Sequence, residues 1–69
     1  MRFETLQYLV DIAETNSITR TAERFFIAQQ SLSSTIINLE NDLGVKLLER
    51  SVYGVRLTEQ GKELVEYAK

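Results

Sequence analysis

The chain of 69 residues contains no cysteine, no histidine and no proline. Without cysteine neither a disulfide framework nor a thiolate metal site can form, and without histidine the commonest general base and metal ligand is missing. No apolar run reaches the length needed to cross a membrane, and the start, MRFETLQYLV, does not resemble a signal peptide. These absences argue against catalysis and metal binding, and they predict a cytoplasmic protein that uses no cofactor.

The remaining composition is that of one small folded domain, or of a piece of a larger protein, with 43% hydrophobic and 26% charged residues. The net charge of −2 is unfavourable for nucleic acid, because lysine and arginine supply most of the non-specific affinity for phosphates. The distribution weakens that objection: residues 17–38 carry +1, residues 46–58 carry +2, and everything else carries −5. The positive charge is concentrated in two segments.

Hydrophobic periodicity predicts two short helices at the start of the chain. The first covers residues 3–14, and its inward positions are Leu6, Leu9, Val10 and Ala13. Ser17 is the predicted N-cap of the second helix, whose inward face is Ile18, Ala22 and Phe25. A turn over residues 26–28 follows, and Ala28 is a poor N-cap for the next helix.

A two-faced third helix over residues 29–43 is the most informative part of the chain. Its apolar stripe recurs at i, i+4, i+7 and i+11 and consists of Leu32, Ile36, Leu39 and Leu43. The opposite side carries short amides and hydroxyls, which donate and accept hydrogen bonds as base edges in the major groove require: Gln29, Gln30, Ser33 and Ser34. An ordinary amphipathic helix with a solvated face is the alternative. With the preceding helix and turn, this pattern indicates a helix-turn-helix and points to DNA.

A hairpin is predicted after the third helix, which Gly44 ends in the left-handed conformation. Two extended runs, over residues 46–50 and 55–57, flank a turn at residues 51–54. A hairpin that follows a recognition helix is a wing, and its exposed basic and aromatic residues can reach the DNA backbone or the minor groove. A small structural lid is the alternative interpretation.

Thr58 is a plausible N-cap for a final helix, in which Leu64, Val65 and Ala68 are the candidate apolar positions. The sequence stops without a helix-ending signal. We therefore expect the chain to have been cut inside this helix.

Across its whole length the sequence resembles the N-terminal winged helix-turn-helix domain of LysR-type transcriptional regulators. The most specific blocks are SITRTAERFFIAQQSLS, INLENDLGVKLLER and GVRLTEQG, in the expected order and spacing. The resemblance implies a mostly α fold with a three-helix core, a short two-stranded β wing and a C-terminal linker helix. It assigns residues 1–58 to the DNA-binding domain and residues 59–69 to the start of the linker and dimerisation helix.

Such a domain is expected to bind operator DNA with an inverted repeat and to regulate transcription. The resemblance also implies a homodimer or higher homo-oligomer in the full-length protein, because one short helix reads too few base pairs. A small-molecule inducer is expected only for a C-terminal domain that this sequence lacks.

The predicted DNA-contacting residues fall into two groups. Base contacts are assigned to Gln29, Gln30, Ser33, Ser34 and Ile37, the last against a thymine methyl group. Backbone contacts are assigned to Ser17, Arg20, Arg50, Tyr53 and Arg56. The resemblance further implies that Leu64 and Ala68 contribute to the dimer interface.

The chain departs from the family pattern at several of these positions. Ala28 stands where a serine cap is usual, and Tyr53 stands at the wing tip where arginine or lysine is typical. Similar losses of charge or of a familiar contact occur at Gln30, Ser34 and Ile37. A winged-helix module that binds another protein remains the alternative, slightly favoured by the net acidity. A minimal enzyme has almost no support, since no phosphate loop or metal-spaced carboxylates are present.

Overall fold

Six elements follow one another in the computed structural model, which describes residues 3–68. In chain order they are α1 (Phe3–Thr15), α2 (Ile18–Arg24), α3 (Gln29–Leu43), β1 (Leu48–Ser51), β2 (Gly54–Leu57) and α4 (Glu59–Ala68). The two strands form an antiparallel hairpin in which Leu48 lies opposite Leu57. This arrangement confirms the predicted winged helix-turn-helix. Residues 1, 2 and 69, which the predicted domain limits include, lie outside the described residues.

The core contains buried apolar side chains from all four helices, from β1 and from the loop before it. Its members are Leu9, Ile12, Ile18, Ala22, Leu32, Ile36, Leu39, Leu47, Leu48 and Val65. Removing one such large side chain from water stabilises the fold by about 1.5 to 3 kcal/mol. Between residues 3 and 68, no helix has both the length and the apolar character to cross a bilayer.

Two parts of the predicted core are wrong. In α1 the fully buried residues are Leu9 and Ile12, whereas the predicted Leu6, Val10 and Ala13 are only partly buried. In α3 the predicted stripe ends early, because Leu43 lies in the last turn of the helix, beyond the buried cluster, and is 44% exposed. The periodicity gave the correct side of each helix but not its depth of burial.

The connection from α2 to α3 is made without glycine. As predicted, the Ser17 Oγ caps α2 by accepting the Arg20 N–H at 3.1 Å. At the other end Phe25 is partly buried and meets the Tyr8 ring edge-to-face, with ring centroids 4.9 Å apart. Phe26 then takes a φ of 56°, in the left-handed region that L side chains rarely adopt. Its side chain lies in solvent.

The wing differs from its predicted limits at the start of β1, which is later, and at the turn, into which both strands extend by one residue. β1 begins at residue 48 rather than 46, and the turn consists of only Val52 and Tyr53. The first strand begins late because the backbone of Lys46 and Leu47 is bound outside the ladder. The Lys46 carbonyl oxygen accepts the Thr58 hydroxyl at 2.6 Å.

Leu47 is the residue that joins α3 to α4. Its N–H donates to the Glu40 Oε2 at 2.7 Å, and its carbonyl oxygen accepts the Thr58 N–H at 3.0 Å. Thr58 is also the predicted N-cap of α4, and its Oγ1 accepts the Gly61 N–H at 3.0 Å. One loop residue therefore ties the end of the third helix to the start of the fourth.

Candidate nucleic-acid interface

One face of α3 points away from the core and carries mainly polar side chains. Its exposed residues recur at i, i+4, i+7 and i+11, and they are Gln30, Ser34, Ile37 and Asn41. Three of these four were predicted to contact bases. Asn41 was not, although it continues the same spacing that identified the buried stripe. We call these four residues the α3 outer stripe.

The other two predicted base-contact residues lie at the edge of this face, on the side of α2. Gln29 is exposed, and its Oε1 accepts the Thr19 hydroxyl at 3.2 Å, so the amide is held by the neighbouring helix. Ser33 is partly buried. Thr19 was missed by the sequence analysis, because nothing in a single threonine on a short helix indicates that it will orient a glutamine ten residues later.

The start of α3 leaves its first N–H groups without a side-chain cap. Ala28 occupies the N-cap position with extended backbone (φ −69°, ψ 142°) and offers no acceptor. This confirms the prediction that Ala28 is a poor cap. The other end is closed as predicted, since Gly44 has a φ of 73° and its N–H donates to the Glu40 carbonyl oxygen at 2.8 Å.

The two arginines of the wing lie on opposite faces of the hairpin. Cross-strand pairing places Arg50 opposite Val55 and Arg56 opposite Glu49. Since neighbouring residues of a strand point to opposite faces, Arg50 shares a face with Val55 and Arg56 shares the other with Glu49. Both guanidinium groups belong to exposed residues. Tyr53, the third predicted wing contact, lies at the exposed tip between the strands.

Asn16 fastens the wing to the helix-turn-helix. It takes a φ of 54°, and its Nδ2 donates to the Val55 carbonyl oxygen at 3.2 Å while the Val55 N–H donates to the Asn16 carbonyl oxygen at 3.4 Å. The residue directly precedes Ser17, the N-cap of α2. Sequence reasoning missed this role, although asparagine is among the few residues that tolerate a left-handed backbone.

Both arginines of α2 are exposed, but of the two only Arg24 is engaged in an ion pair within residues 3–68. The Arg24 Nε lies 3.2 Å from the Asp11 Oδ1, and Asp11 is buried. The second oxygen of that carboxylate accepts the Thr21 hydroxyl at 2.7 Å, so this network holds α1 against α2. Arg20 lies in the first turn of α2 and is exposed. Ser17, also predicted to contact DNA, is partly buried and already serves as the cap.

The two residues assigned to dimer contacts lie one turn apart on α4 but line different depressions. Leu64 lines one depression together with Leu43 and Val45, whereas Ala68 lines another together with Phe3 and Val10. Both α4 residues are partly buried by the domain itself.

The chemistry available at these surfaces is hydrogen bonding and charge attraction. Amide and hydroxyl groups on α3 face outward beside a wing that presents two guanidinium groups. Across residues 3–68, no three histidine, cysteine or acidic side chains are grouped so that they could hold a metal ion. The combination suits a polyanion whose base edges are accessible in a groove.

The chain is similar in sequence to curated bacterial regulators. It is 41% identical over 68 residues to the HTH-type transcriptional regulator BenM of Acinetobacter baylyi, covering 99% of this chain and 22% of that protein. It is 41% identical over 69 residues to the nitrogen assimilation regulatory protein nac of Escherichia coli, covering all of this chain and 23% of that protein. The chain thus spans less than a quarter of the length of these relatives.

Solved structures of the same kind share its fold. A crystal structure of the BenM DBD with catB site 1 DNA has a TM-score of 0.91 at 41% identity, covering 99% of this chain and 76% of that one. The CbnR DBD–DNA complex has a TM-score of 0.91 at 38% identity, covering 99% of this chain and 78% of that one. The model of bacterial regulatory helix-turn-helix proteins of the lysR family matches residues 3–62. The chain therefore belongs to the lysR family of bacterial regulatory helix-turn-helix proteins.

Proposed function

We propose that this chain is the sequence-specific DNA-binding domain of a LysR-type transcriptional regulator. The observation that carries the proposal is the α3 outer stripe, in which three polar side chains and Ile37 lie exposed, together with a wing that the Asn16 hydrogen bonds hold to the start of α2. Two relatives of the same fold, BenM and CbnR, have been solved with DNA as isolated domains, which supports the same partner here. The role is binding rather than catalysis, and it uses no cofactor.

In the proposed complex α3 lies in the major groove and the wing lies against the backbone or the minor groove. Gln29, Gln30, Ser33, Ser34 and Ile37 meet base edges, and the exposed Asn41 extends that row. The backbone is met by Ser17, Arg20, Arg50, Tyr53 and Arg56. Residues 1–58 supply these contacts, and residues 59–69 begin the linker helix.

The full-length protein is proposed to bind an inverted repeat as a homodimer or higher homo-oligomer, with Leu64 and Ala68 in the subunit interface. Two recognition helices must lie about 34 to 36 Å apart to read one face of the duplex. A small-molecule inducer is proposed only for a C-terminal domain, in the part of the relatives' length that this chain does not span. A cytoplasmic location follows from the function, because chromosomal DNA lies there.

The test of this function is selection of binding sites from random duplex DNA by the 69-residue chain at two salt concentrations. Enrichment of a common sequence is expected, because the α3 outer stripe reads bases and not only phosphates. An inverted repeat among the selected sites establishes dimeric recognition. A folded chain that enriches nothing at either salt concentration contradicts the proposal.

Gln30→Ala is expected to weaken binding to the selected site by roughly 1 to 3 kcal/mol while changing the affinity for random DNA little. A glutamine amide pairs with the N6 and N7 atoms of adenine through two hydrogen bonds, and both are lost in the variant. Gln29→Ala is expected to act in the same direction. The measurement is a titration of each variant with selected and scrambled duplexes, and Gln60→Ala, on the exposed surface of α4, is the matched control. Equal weakening on both duplexes rejects base reading by these glutamines.

Ala28→Ser is expected to raise the free energy of unfolding by about 1 kcal/mol, because the hydroxyl caps N–H groups that now lack a side-chain acceptor. It is also expected to lower the affinity for DNA, since a phosphate at the start of α3 would use the same N–H groups. Thermal denaturation and DNA titration measure the two effects, and Ala28→Val, which adds bulk without an acceptor, is the control. Higher stability with unchanged affinity removes the support for a phosphate at this position.

A further inference from the structure

The turn of the wing has a composition that the hairpin itself does not explain. Val52 and Tyr53 form the whole turn between β1 and β2, where two-residue loops favour asparagine, aspartate and glycine. Neither residue has a positive φ, and Gly54, with a φ of 116°, supplies the left-handed backbone instead. Because Gly54 supplies the left-handed residue, hairpin geometry demands neither asparagine nor glycine at positions 52 and 53 and leaves the choice of a β-branched and an aromatic residue open.

The side chains of this turn contribute nothing to the fold. Val52 is 93% exposed and Tyr53 is 96% exposed, and neither belongs to the core cluster. Leaving such groups in water has no benefit for an isolated hairpin. Two neighbouring large side chains that lie in water without any gain in packing point to a contact surface.

Hydrogen bonds hold the backbone of the turn and of the hairpin below it, and they set where the turn lies relative to the start of α2. The Tyr53 N–H donates to the Ser51 Oγ at 3.1 Å inside the turn. At the base of the same hairpin, the paired Asn16 and Val55 bonds fasten the wing to the start of α2. Gly54 is packed so closely there that an added Cβ would lie 3.0 Å from the Asn16 carbonyl oxygen.

We propose that Val52 and Tyr53 form an apolar wedge that enters the minor groove beside the α3 site and selects base steps that unstack easily. The wing arginines, Arg50 and Arg56, lie on opposite faces of the hairpin behind this tip, so each faces one of the two phosphate strands that wall the groove. Apolar side chains inserted between base pairs are a known way to kink DNA, and pyrimidine–purine steps resist this least. The inference rests on the proposed DNA-binding function and adds a second source of sequence preference to it.

The experiment uses the 69-residue chain and duplexes that carry the site selected from random DNA. For each base step that flanks the site, two duplexes are made that differ only at that step, one with TA and the other with AA. The affinities of the chain for the two duplexes are compared at one fixed salt concentration. The intact chain is expected to favour TA by about tenfold at one flanking position, because a TA step is easier to deform than a stiff A-tract. A 2-aminopurine at that position is expected to brighten on binding as it unstacks.

Three variants of the wedge make the test specific, and all alter exposed side chains outside the core. The double variant Val52→Ser with Tyr53→Ser is expected to lose both the TA preference and the fluorescence change. Tyr53→Phe is expected to keep both, since the wedge needs the ring and not the hydroxyl. Tyr53→Arg is expected to shift preference toward AA, because the narrow groove of an A-tract attracts a guanidinium group.

The outcomes separate the wedge from the proposed function. If the intact chain binds its selected site with no preference for any flanking step, the wedge is rejected and site-specific binding stands. Loss of the preference in Tyr53→Phe also rejects the wedge, because it would identify a hydroxyl hydrogen bond as its source. If the intact chain selects no site at all, both the wedge and the proposed function fail.

Discussion

Glu40→Ala is expected to remove a large part of the folding stability of this domain. The Glu40 side chain is buried, and its Oε2 accepts the Leu47 N–H at 2.7 Å and the Leu48 N–H at 3.2 Å. Removing the carboxylate leaves two backbone donors in the interior without an acceptor, at about 1 to 3 kcal/mol each. A loss of roughly 2 to 6 kcal/mol is large beside the roughly 3 to 10 kcal/mol expected for a chain of this size.

Urea denaturation followed by circular dichroism measures this loss. Glu40→Gln keeps an acceptor but not the charge, and a smaller loss of about 1 to 2 kcal/mol is expected from it. Asp42→Ala, which removes an exposed carboxylate from the same helix, is the matched control, with a change within about 0.5 kcal/mol. If Glu40→Ala costs no more than Asp42→Ala, the buried hydrogen bonds do not hold the wing to α3.

Gly61→Ala is expected to destabilise the chain by about 2 to 3 kcal/mol, although the same change on an exposed helix surface usually stabilises it by about 1 kcal/mol. An added Cβ would overlap the Leu47 carbonyl oxygen and lie 3.2 Å from the Leu57 Cδ2. The carbonyl is a backbone group that already accepts the Thr58 N–H, so it cannot move aside without losing that bond.

Whether Gly61→Ala raises or lowers the stability decides this prediction, and thermal denaturation measures the direction of the change. Gln60→Ala, the neighbouring exposed position on α4, controls for helix propensity and is expected to change stability little. Gly44→Ala separates crowding from backbone strain, since no atom lies within 4 Å of an added Cβ there and only the φ of 73° opposes it. A Gly61→Ala chain as stable as the parent would show that α4 packs less closely on residue 47 than the structure indicates.

The parts of the fold that were predictable from sequence depend on local signals. Ser17 and Thr58 cap their helices through their own hydroxyls, and Gly44 ends α3 through its left-handed backbone, so single residues were enough. The spacing of apolar residues likewise predicted the inward side of α3, because helical periodicity is also a local signal. Periodicity could not give burial depth, and Leu43 is exposed because the helix continues past its neighbours.

The parts that escaped prediction depend on contacts between distant segments. The Asn16 bonds to Val55 join positions 39 residues apart, and the Glu40 carboxylate reaches across to the start of the wing. Nothing in the local sequence shows that Glu40 is buried. At the candidate site, Gln30 and Ser34 follow from helix geometry alone, whereas the hydrogen bond between Thr19 and Gln29 needs the packing of α2 against α3.

The two hydrogen bonds at Leu47 couple the end of α3 to the start of α4. A rotation of α4 is passed to α3 through one residue, since the N–H of Leu47 is held by the Glu40 carboxylate and its carbonyl oxygen by the Thr58 N–H. Residues 44–47 therefore do not act as a flexible hinge between the two helices. In a pair of these domains joined through α4, the angle and separation of the two recognition helices are then set by how the α4 helices meet. The contact between the two α4 helices then determines the spacing of the DNA half-sites that such a pair can bind.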